Sequence, residues 1–355
     1  MGHFKINEED VFFILKDQLN YGSLCGLEPY CDFDEDTLDM LVREAIRFAK
    51  AELDPLREIG ETWGVVFEEG QVRCAPEYKR VFQLFGRNGW ISAVRDPRYG
   101  GQGFPHMMRI VVNDFMYGAA QAFNMAPSLT GGAADLIATF GSEELKERFV
   151  RKMFSGEWAG TMALTEPSAG SNLAALRTTA VPEGDHYRIK GTKLFISWGD
   201  HDLTENIVHL LLARIEGAPE GVKGISLFVV PKVRVHADGS LGEFNDVACT
   251  AVEKKMGLHA SPTCALNFGE NDGCIGYLCG QKDRGLAHMF RMMNGARINT
   301  GVSGMTLAST AYQNALAYAK ERIQGTDVAG SRPGFVPIIE HPDVRRMLPW
   351  ILSFA

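Results

Sequence analysis

The spacing of hydrophobic residues changes its period twice along the chain, and this order constrains the fold more than any other feature. From about 34 to 157, apolar residues recur every three or four positions, as Leu38 and Leu41 do, which predicts helices. Between about 160 and 280, short β-type runs alternate with turn residues, and from Arg284 the helical spacing returns. A nucleotide-binding parallel sheet would instead alternate strands and helices throughout. The order predicts an α+β fold with a helical domain, a β-sandwich or barrel, and a helical bundle.

The β-type runs and the helical patterns on either side set the expected domain boundaries. The clearest runs are bounded by Gly, Asp and Pro, and they are Tyr187–Ile189, Lys193–Ser197, Ile207–Ala213, Gly224–Val230 and Thr263–Phe268. We therefore expect an N-terminal helical domain over 1–157, a middle β-domain over 158–279 and the start of a C-terminal helical domain over 280–355.

Charge and composition exclude several classes of partner. A net charge of −8 argues against non-specific nucleic-acid binding, which needs a basic surface. The uncharged stretch 298–319 is long enough to span a bilayer, but its many Asn, Gln, Ser and Thr residues predict a buried helix and no membrane span. The start of the chain shows no secretory signal. Seven cysteines without a C-x-x-C pair indicate reduced thiols, so we expect a cytoplasmic protein without a metal site.

One segment, Met162-Ala-Leu-Thr-Glu-Pro-Ser-Ala-Gly-Ser-Asn172, has the composition of a ligand-binding loop. Pro167 forces Glu166 into an extended conformation, because proline disfavours the α-conformation in the residue before it. Gly170 and Ser171 then offer accessible backbone N–H groups and a hydroxyl, which suit a pyrophosphate or the edge of a flavin. Composition alone favours an ordinary surface loop.

Several motifs follow one another in the order typical of the acyl-CoA dehydrogenases. The 162–172 segment resembles the flavin-binding signature of that family, and Lys193–Ser197 resembles the strand that contacts the isoalloxazine ring. Gly224–Pro231 and Glu253–Gly257 resemble the next β-strand and the E-x-K-x-G turn. The segments Gly160–Thr165, Ser197–Asn206 and Met289–Arg297 are similar to a longer bacterial branch that includes 3-methylmercaptopropionyl-CoA dehydrogenase. The resemblance covers nearly the whole chain and implies the three-part fold of that family.

The resemblance implies FAD as the cofactor. The implied contact residues lie in the signature, in the strand after it and beyond the long C-terminal helix, and they are Met162, Leu164, Thr165, Gly170, Ser171, Phe195, Ile196, Ser197, Arg322 and Gln324. Two alternatives stay open from the residues alone. Phe195 and Ile196 also suit an ordinary strand core, and Arg322 with Gly325 is also typical of a helix C-terminus. In the family the Arg322 and Gln324 positions reach the flavin of a neighbouring subunit, which implies a homodimer or a dimer of dimers.

Substrate contacts are implied on one helical face. Phe290, Asn294 and Arg297 are spaced by four and three residues and therefore share a face. In the family this face lines the acyl-CoA channel; an ion pair between Arg297 and a neighbouring domain is the alternative. Two further residues are interpreted as structural. Glu166 would shape the signature turn, and His201, in an acidic loop, would be solvated or would order that loop.

The implied reaction is α,β-dehydrogenation of an acyl-CoA thioester, with electrons passed to an electron-transfer flavoprotein. A carboxylate removes the α-proton while the flavin accepts hydride. Family members carry this base either beyond the end of this sequence or immediately before the Arg297 position, where Ala296 stands, so no catalytic residue is expected here. The apolar ending after Met347 indicates a truncated chain. The alternatives are an acyl-CoA oxidase and a non-catalytic flavin-binding or assembly subunit.

Overall fold

The computed structural model describes residues 2–353. Its α-helices are α1 (Glu8–Phe12), α2 (Glu35–Phe48), α3 (Asp54–Trp63), α4 (Pro76–Arg87), α5 (His106–Phe140), α6 (Glu143–Leu145), α7 (Arg151–Phe154), α8 (Gly285–Glu321) and α9 (Pro342–Leu352). Wider π-helical turns occupy Phe13–Gln18, Ala49–Leu53 and Lys146–Val150, and short 3-10 turns occupy Tyr21–Gly26, Glu28–Tyr30, Pro97–Tyr99, Leu173–Ala175, Gly221–Gly224 and Ile338–Glu340.

The strands follow the same chain order. They are β1 (Val66–Glu68), β2 (Gln71–Arg73), β3 (Trp158–Ala163), β4 (Thr179–Glu183), β5 (His186–Ser197), β6 (Asn206–Ile215), β7 (Ile225–Pro231), β8 (Val233–Val235), β9 (Leu241–Phe244), β10 (Val247–Val252), β11 (Thr263–Phe268), β12 (Ile275–Leu278), β13 (Ile323–Thr326) and β14 (Phe335–Pro337). The predicted succession of helices, β-strands and helices is confirmed.

Local sequence explains where the helices begin. Asp34 caps α2, because its carboxylate accepts the N–H of Thr37 at 2.8 Å. Leu38, Leu41 and Val42 are buried on one face of this helix, as their spacing predicts. Pro76 begins α4 at a position where its missing N–H costs nothing.

The β-domain is built around a closed ring of strands. Strand β4 pairs with β5, β5 with β12, β12 with β7, β7 with β6, and β6 returns to β4. Strand β3 extends the ring from β6 in parallel, and β11 and β10 continue from the second half of β5. The predicted β-sandwich or barrel is therefore a small barrel with added strands.

Two predicted β-runs, Tyr187–Ile189 and Lys193–Ser197, belong to one strand, β5, which has 12 residues. The prediction of two strands is wrong, because Gly191 does not end a strand. Gly191 instead lies inside the strand, where a β-carbon would collide with the Thr178 side chain. Glycine permits this close approach of a neighbouring segment.

Strands β6 and β7 are buried on both faces, which explains their continuous apolar sequences. Leu210 and Leu212 of β6 pack with Leu136 and Phe149 in one core. Leu211, between them in the chain, faces the opposite core inside the barrel. The alternation follows from the two-residue period of a strand.

By contacts, the chain divides into two compact units. The first combines residues up to 55, 105–121 and residues from 298 onward; the second combines 56–104 with 122–297. The expected boundaries near 157 and 279 are not tested by this division and stay predictions. Within residues 2–353, no helix is long and apolar enough to cross a membrane.

Candidate functional site

The two segments predicted to bind flavin lie side by side in the second unit. The N–H of Leu194 donates to the carbonyl oxygen of Thr165 at 2.8 Å, which joins the loop after β3 to strand β5. The Lys193 ammonium group donates to the carbonyl oxygen of Leu164 at 3.0 Å. These bonds bring the signature loop and the Lys193–Ser197 run into one site.

A buried ion pair holds this junction. Lys193 is 0% exposed and its Nζ lies 2.7 Å from Glu166 Oε1. The same Nζ donates to the carbonyl oxygen of Leu212 on β6 at 2.8 Å, so the ammonium group has three acceptors with Leu164 included. Burial lowers the pKa of Lys193 to about 8, while Glu166 opposes that change.

Glu166 organises the loop that follows it. Its carboxylate accepts the N–H groups of Arg177 at 2.7 Å and Thr178 at 3.1 Å, and the Thr178 hydroxyl at 2.5 Å. Burial alone would raise the pKa of Glu166, but the Lys193 charge and these hydrogen bonds hold it below the usual value. Glu166 is therefore ionised and shapes the turn, as the sequence predicted.

Phe195 is the exposed aromatic residue of this site. It lies where the pairing of β5 with β11 shifts register, between the partners of Cys264 and Leu266. Its φ is +58° and its side chain is 58% exposed. A bulky residue in the left-handed region is rare outside turns and strained sites, and such strain often accompanies ligand binding. The ring therefore suits contact with a flat ligand, rather than an ordinary strand core.

The next two residues of β5 are placed differently. Ile196 is buried in the barrel core, so its side chain fits the strand-core alternative and only its backbone is open to a ligand. Ser197 is half-buried and pairs with Thr263.

The signature loop combines anchored and open positions. Leu164 is buried, whereas Met162 and Thr165 are half-buried. Gly170 and Ser171 are exposed, and a β-carbon at Gly170 would meet nothing within 4 Å.

The loop closes in a short turn beside a cavity. Asn172 accepts the N–H of Ala174 at 3.2 Å and so starts the 3-10 turn Leu173–Ala175. A cavity of about 350 Å³ lies beside the loop and is lined by Ser168, Arg177 and Thr192 among others. The exposed ring, free backbone and hydroxyl groups fit a flavin nucleotide.

The predicted substrate residues share one face of α8. The Arg297 guanidinium lies 5.4 Å from the centre of the Phe290 ring, and its Nη1 donates to Asn294 Oδ1 at 3.2 Å. All three side chains are exposed. Ala296, beside Arg297, cannot accept a proton.

Arg322 and Gln324 lie in the first unit, beyond the end of α8. The helix ends at Glu321, Arg322 follows it directly, and Gln324 belongs to strand β13. Arg322 Nη2 donates to Gln324 Oε1 at 3.3 Å. The interpretation of Gly325 as a helix cap is wrong, because Gly325 lies inside β13 with φ +78°. Its left-handed φ serves the irregular β13–β14 pairing instead.

His201 orders its own loop. Its Nδ1 accepts the N–H of Leu203 at 3.2 Å, while Asp200 accepts the N–H of His201 at 2.8 Å and pairs with Lys232. Burial, with the charge of Lys232, lowers the pKa of His201 to about 3, so the ring is neutral. His201 is buried rather than solvated. Between residues 2 and 353, no group of three or more His, Cys, Asp or Glu side chains could hold a metal ion.

Lys193 is the important residue to which the sequence assigned no role. Lysine side chains are rarely fully buried. Two of its three acceptors are backbone carbonyls of distant segments, Leu164 and Leu212, which leave no sequence signal. Glu166 lies 27 residues earlier, and no spacing rule links two residues at that distance, so the sequence carried no signal for the pair.

Comparison with known proteins agrees with this fold. Residues 35–157 match the family described as acyl-CoA dehydrogenase, N-terminal domain, and residues 161–270 match acyl-CoA dehydrogenase, middle domain. Together these two matches cover more than half of the chain. The chain belongs to the acyl-CoA dehydrogenase family.

Among its relatives is 3-methylmercaptopropionyl-CoA dehydrogenase from Ruegeria pomeroyi, 42% identical over 340 residues, which cover 96% of this chain and 57% of that protein. A butyryl-CoA dehydrogenase from Syntrophomonas wolfei is 39% identical over 350 residues, again 96% of this chain and 57% of the relative. The chain thus spans little more than half the length of these relatives. The predicted resemblance to a longer bacterial branch is confirmed.

Solved structures share the fold. An acyl-CoA dehydrogenase from Geobacillus kaustophilus has a TM-score of 0.71 at 23% identity and covers 90% of this chain and 76% of its own. An acyl-CoA dehydrogenase from Bacillus anthracis, complexed with FAD, has a TM-score of 0.71 at 24% identity, with 91% and 49% covered. At these identities, the likeness establishes the fold alone.

Proposed function

We propose that this protein is an FAD-dependent acyl-CoA dehydrogenase that converts an acyl-CoA thioester into the 2-enoyl-CoA. One observation carries the proposal. The loop 162–172 and the Phe195 bulge, distant in sequence, are joined by the Leu194–Thr165 bond and the buried Lys193–Glu166 pair. This arrangement occurs in a chain of the acyl-CoA dehydrogenase family.

The residues proposed to hold FAD are those that the sequence indicated. They are Met162, Leu164, Thr165, Gly170, Ser171, Phe195, Ile196 and Ser197, with Arg322 and Gln324 offered to the flavin of a second subunit. Bound FAD would supply the hydride acceptor of the reaction. Thr165 and Ser197 would present hydroxyl groups to the ring, Phe195 would cover part of it, and the exposed N–H groups near Gly170 would bind phosphate oxygens.

The face formed by Phe290, Asn294 and Arg297 is proposed to bind acyl-CoA. The Arg297 guanidinium can form paired hydrogen bonds with phosphate oxygens. Within residues 2–353, its side chain donates to the neutral Asn294 side chain and pairs with no acid. Phe290 and Asn294 orient the guanidinium for that contact.

We propose no catalytic base among these residues. Ala296 stands where a minority of the family carries a glutamate, and it has no group that takes up a proton. A base for the α-proton must be a desolvated carboxylate with a raised pKa. The domain boundaries 1–157, 158–279 and 280–355 are kept as part of this proposal.

The proposed electron acceptor is an electron-transfer flavoprotein, and the proposed assembly is a homodimer or a dimer of dimers in the cytoplasm. An oxidase that passes electrons to oxygen is the second candidate function, since it requires the same flavin and acyl-CoA contacts. A non-catalytic flavin-binding subunit is the third.

The test is anaerobic titration of the FAD-loaded full-length protein with butyryl-CoA, followed by exposure to air. We expect loss of the flavin absorbance on titration, formation of enoyl-CoA and slow reoxidation. Fast reoxidation with release of peroxide would contradict the dehydrogenase assignment and favour the oxidase. Retention of flavin without any reduction would favour the non-catalytic subunit.

A further inference from the structure

A second cavity lies at the opposite end of the strands that carry the signature loop. It measures about 940 Å³ and borders Glu157, just before β3, and Glu205, just before β6. These two strands run parallel, with Trp158 opposite Asn206, and the signature loop follows the far end of β3. A strand rises about 3.3 Å per residue, so the six residues of β3 separate the two sites by roughly 20 Å.

Cationic side chains predominate in this cavity, which we call the basic groove. Lys79 and Arg87 of α4 line one wall, and Arg151 and Lys152 of α7 line another. The acids are Glu157 and Glu205, at the strand ends. The groove is therefore net positive in a chain whose net charge is −8. Such a local excess of positive charge attracts anions.

The cations of α4 are available to a ligand. Lys79, Gln83 and Arg87 are spaced by four residues, so they project from one face of the helix. Within residues 2–353, neither the Lys79 nor the Arg87 side chain forms an ion pair or a hydrogen bond, and both are exposed. Lys79 and Arg87 lie about two turns apart on this face, so their long side chains can bind separate oxygens of one polyanion.

The cations of α7 are instead fixed in place. Arg151 Nη2 donates to the carbonyl oxygen of Arg98 at 2.5 Å. Lys152 Nζ donates to the carbonyl oxygen of Gly239 at 3.2 Å and lies 4.6 Å from the centre of the Trp158 ring. This wall provides positive charge at a defined position, while the α4 wall provides free donors.

Backbone contacts between the end of α4 and the residues after α7 hold the two walls of the groove at a fixed separation. Gly86, at the end of α4, packs directly on the backbone of Ser155 and Gly156, and a β-carbon at Gly86 would collide with the Ser155 carbonyl oxygen. Gly156 has φ +75°, a conformation that favours glycine. A groove whose walls are fixed by backbone contact loses little entropy when a ligand binds.

We propose that the basic groove binds a small phosphorylated anion at a site separate from the flavin and acyl-CoA sites. Arg87 and Lys79 contact the phosphate oxygens, because a guanidinium matches two oxygens of one phosphate and an ammonium adds a further charge. The volume lies within the range of small-molecule sites. Glu157 and Glu205 keep the phosphate at the α4 end by repulsion.

The test is calorimetric titration of the protein with inorganic pyrophosphate at low ionic strength, with and without saturating FAD. We expect binding in both conditions. The variant Lys79→Gln with Arg87→Gln should weaken it by about tenfold or more, because two charge-assisted contacts are lost. The charge-matched control Lys223→Gln with Lys282→Gln removes two exposed cations outside the groove and should leave the affinity within about twofold.

Three results would overturn the proposal. The first is no binding of pyrophosphate by the native protein, and the second is an equal loss in the control variant. The third is displacement of pyrophosphate by FAD, which would assign the anion to the flavin site. Unchanged melting temperatures of both variants establish that they are folded. Pyrophosphate binding is also measured without FAD. The groove can therefore be tested even if the protein does not bind FAD as proposed.

Discussion

The two groups of residues assigned to the active site are held by different forces. On the β-domain side, the contacts are buried and charged: Lys193 and Glu166 are paired at 2.7 Å with side chains 0% and 3% exposed. Each carries further hydrogen bonds to the backbone, so three separate segments meet at one ammonium group.

On the helical side, the contacts are exposed and weak. Arg297, Asn294 and Phe290 are connected by one hydrogen bond of 3.2 Å and a ring contact of 5.4 Å, all open to solvent. Arg322 and Gln324 are similarly joined by one exposed bond of 3.3 Å. Water competes for each of these contacts.

The difference indicates how each side meets its ligand. Removing charges from water is costly, so a buried ion pair persists only where its geometry and hydrogen bonds are complete. The β-domain side is therefore set before any ligand arrives. The helical side can reorient, and its exposed pairs contribute about 0–1 kcal/mol to stability.

The largest expected effect comes from breaking the buried pair. Glu166→Gln leaves the Lys193 ammonium group buried without its counter-charge, and we expect the free energy of unfolding to fall by about 3–5 kcal/mol. Urea unfolding measures it. The matched control is Glu183→Gln, at the exposed end of strand β4, which should cost less than about 1 kcal/mol. Equal effects of the two changes would remove the distinction between the sides.

The next effect is a pH dependence of stability from Lys193. Its folded pKa, about 8, lies below the ordinary 10.5. Between these values the unfolded chain binds the proton more tightly, so stability rises with pH by at most about 3 kcal/mol. Lys193→Met removes this contribution. The native protein should therefore gain stability relative to Lys193→Met from pH 8 to pH 10, as followed by chemical unfolding; parallel pH profiles would contradict the assigned pKa.

A smaller effect separates strain from function at Phe195. Phe195→Gly relieves the left-handed backbone and should raise stability by about 1 kcal/mol, while the loss of the ring should lower FAD affinity by about tenfold. Thermal unfolding and flavin fluorescence measure the two quantities. Phe195→Ala serves as the control, since it loses the ring but keeps the strain. If Phe195→Gly bound FAD as tightly as the native protein, the ring would have no part in the site.

The smallest effect on stability is expected on α8. Arg297→Gln should change the free energy of unfolding by less than about 0.5 kcal/mol, since its contacts are exposed. The affinity of this variant for acyl-CoA should nevertheless fall about tenfold, because a charged contact with phosphate is lost. Equilibrium binding of butyryl-CoA reports this change, with Lys282→Gln as the exposed control. An unaltered affinity would remove Arg297 from the channel.

The sequence predicted the fold order well, because helical and strand periods are local properties of the chain. It also predicted the turn-shaping role of Glu166. It could not predict the closure of the ring, because the pairing of β4 with β6 depends on contacts between distant segments. The division of β5 failed for a related reason: Gly191 resembles a break, and its function is to admit Thr178.

The sequence indicated which segments form the candidate site, but not the contacts that hold them together. Motif order identified the segments of Thr165 and Phe195, yet nothing in the local sequence indicated that Lys193 joins them. The bulge at Phe195 was also invisible, since a positive φ at an aromatic residue follows from strand register and not from its own preference.

The most direct test of the account is the affinity of the chain for FAD. Native protein and the variant Thr165→Ala with Ser171→Ala are titrated with FAD and followed by flavin fluorescence, with Ser23→Ala, an exposed residue outside the loop, as the control. The account predicts one FAD per chain for the native protein and the control, with affinity reduced about tenfold in the double variant because two hydroxyl contacts are lost. No retention of flavin by the native chain at saturating FAD, or equal affinity in all three proteins, would contradict it.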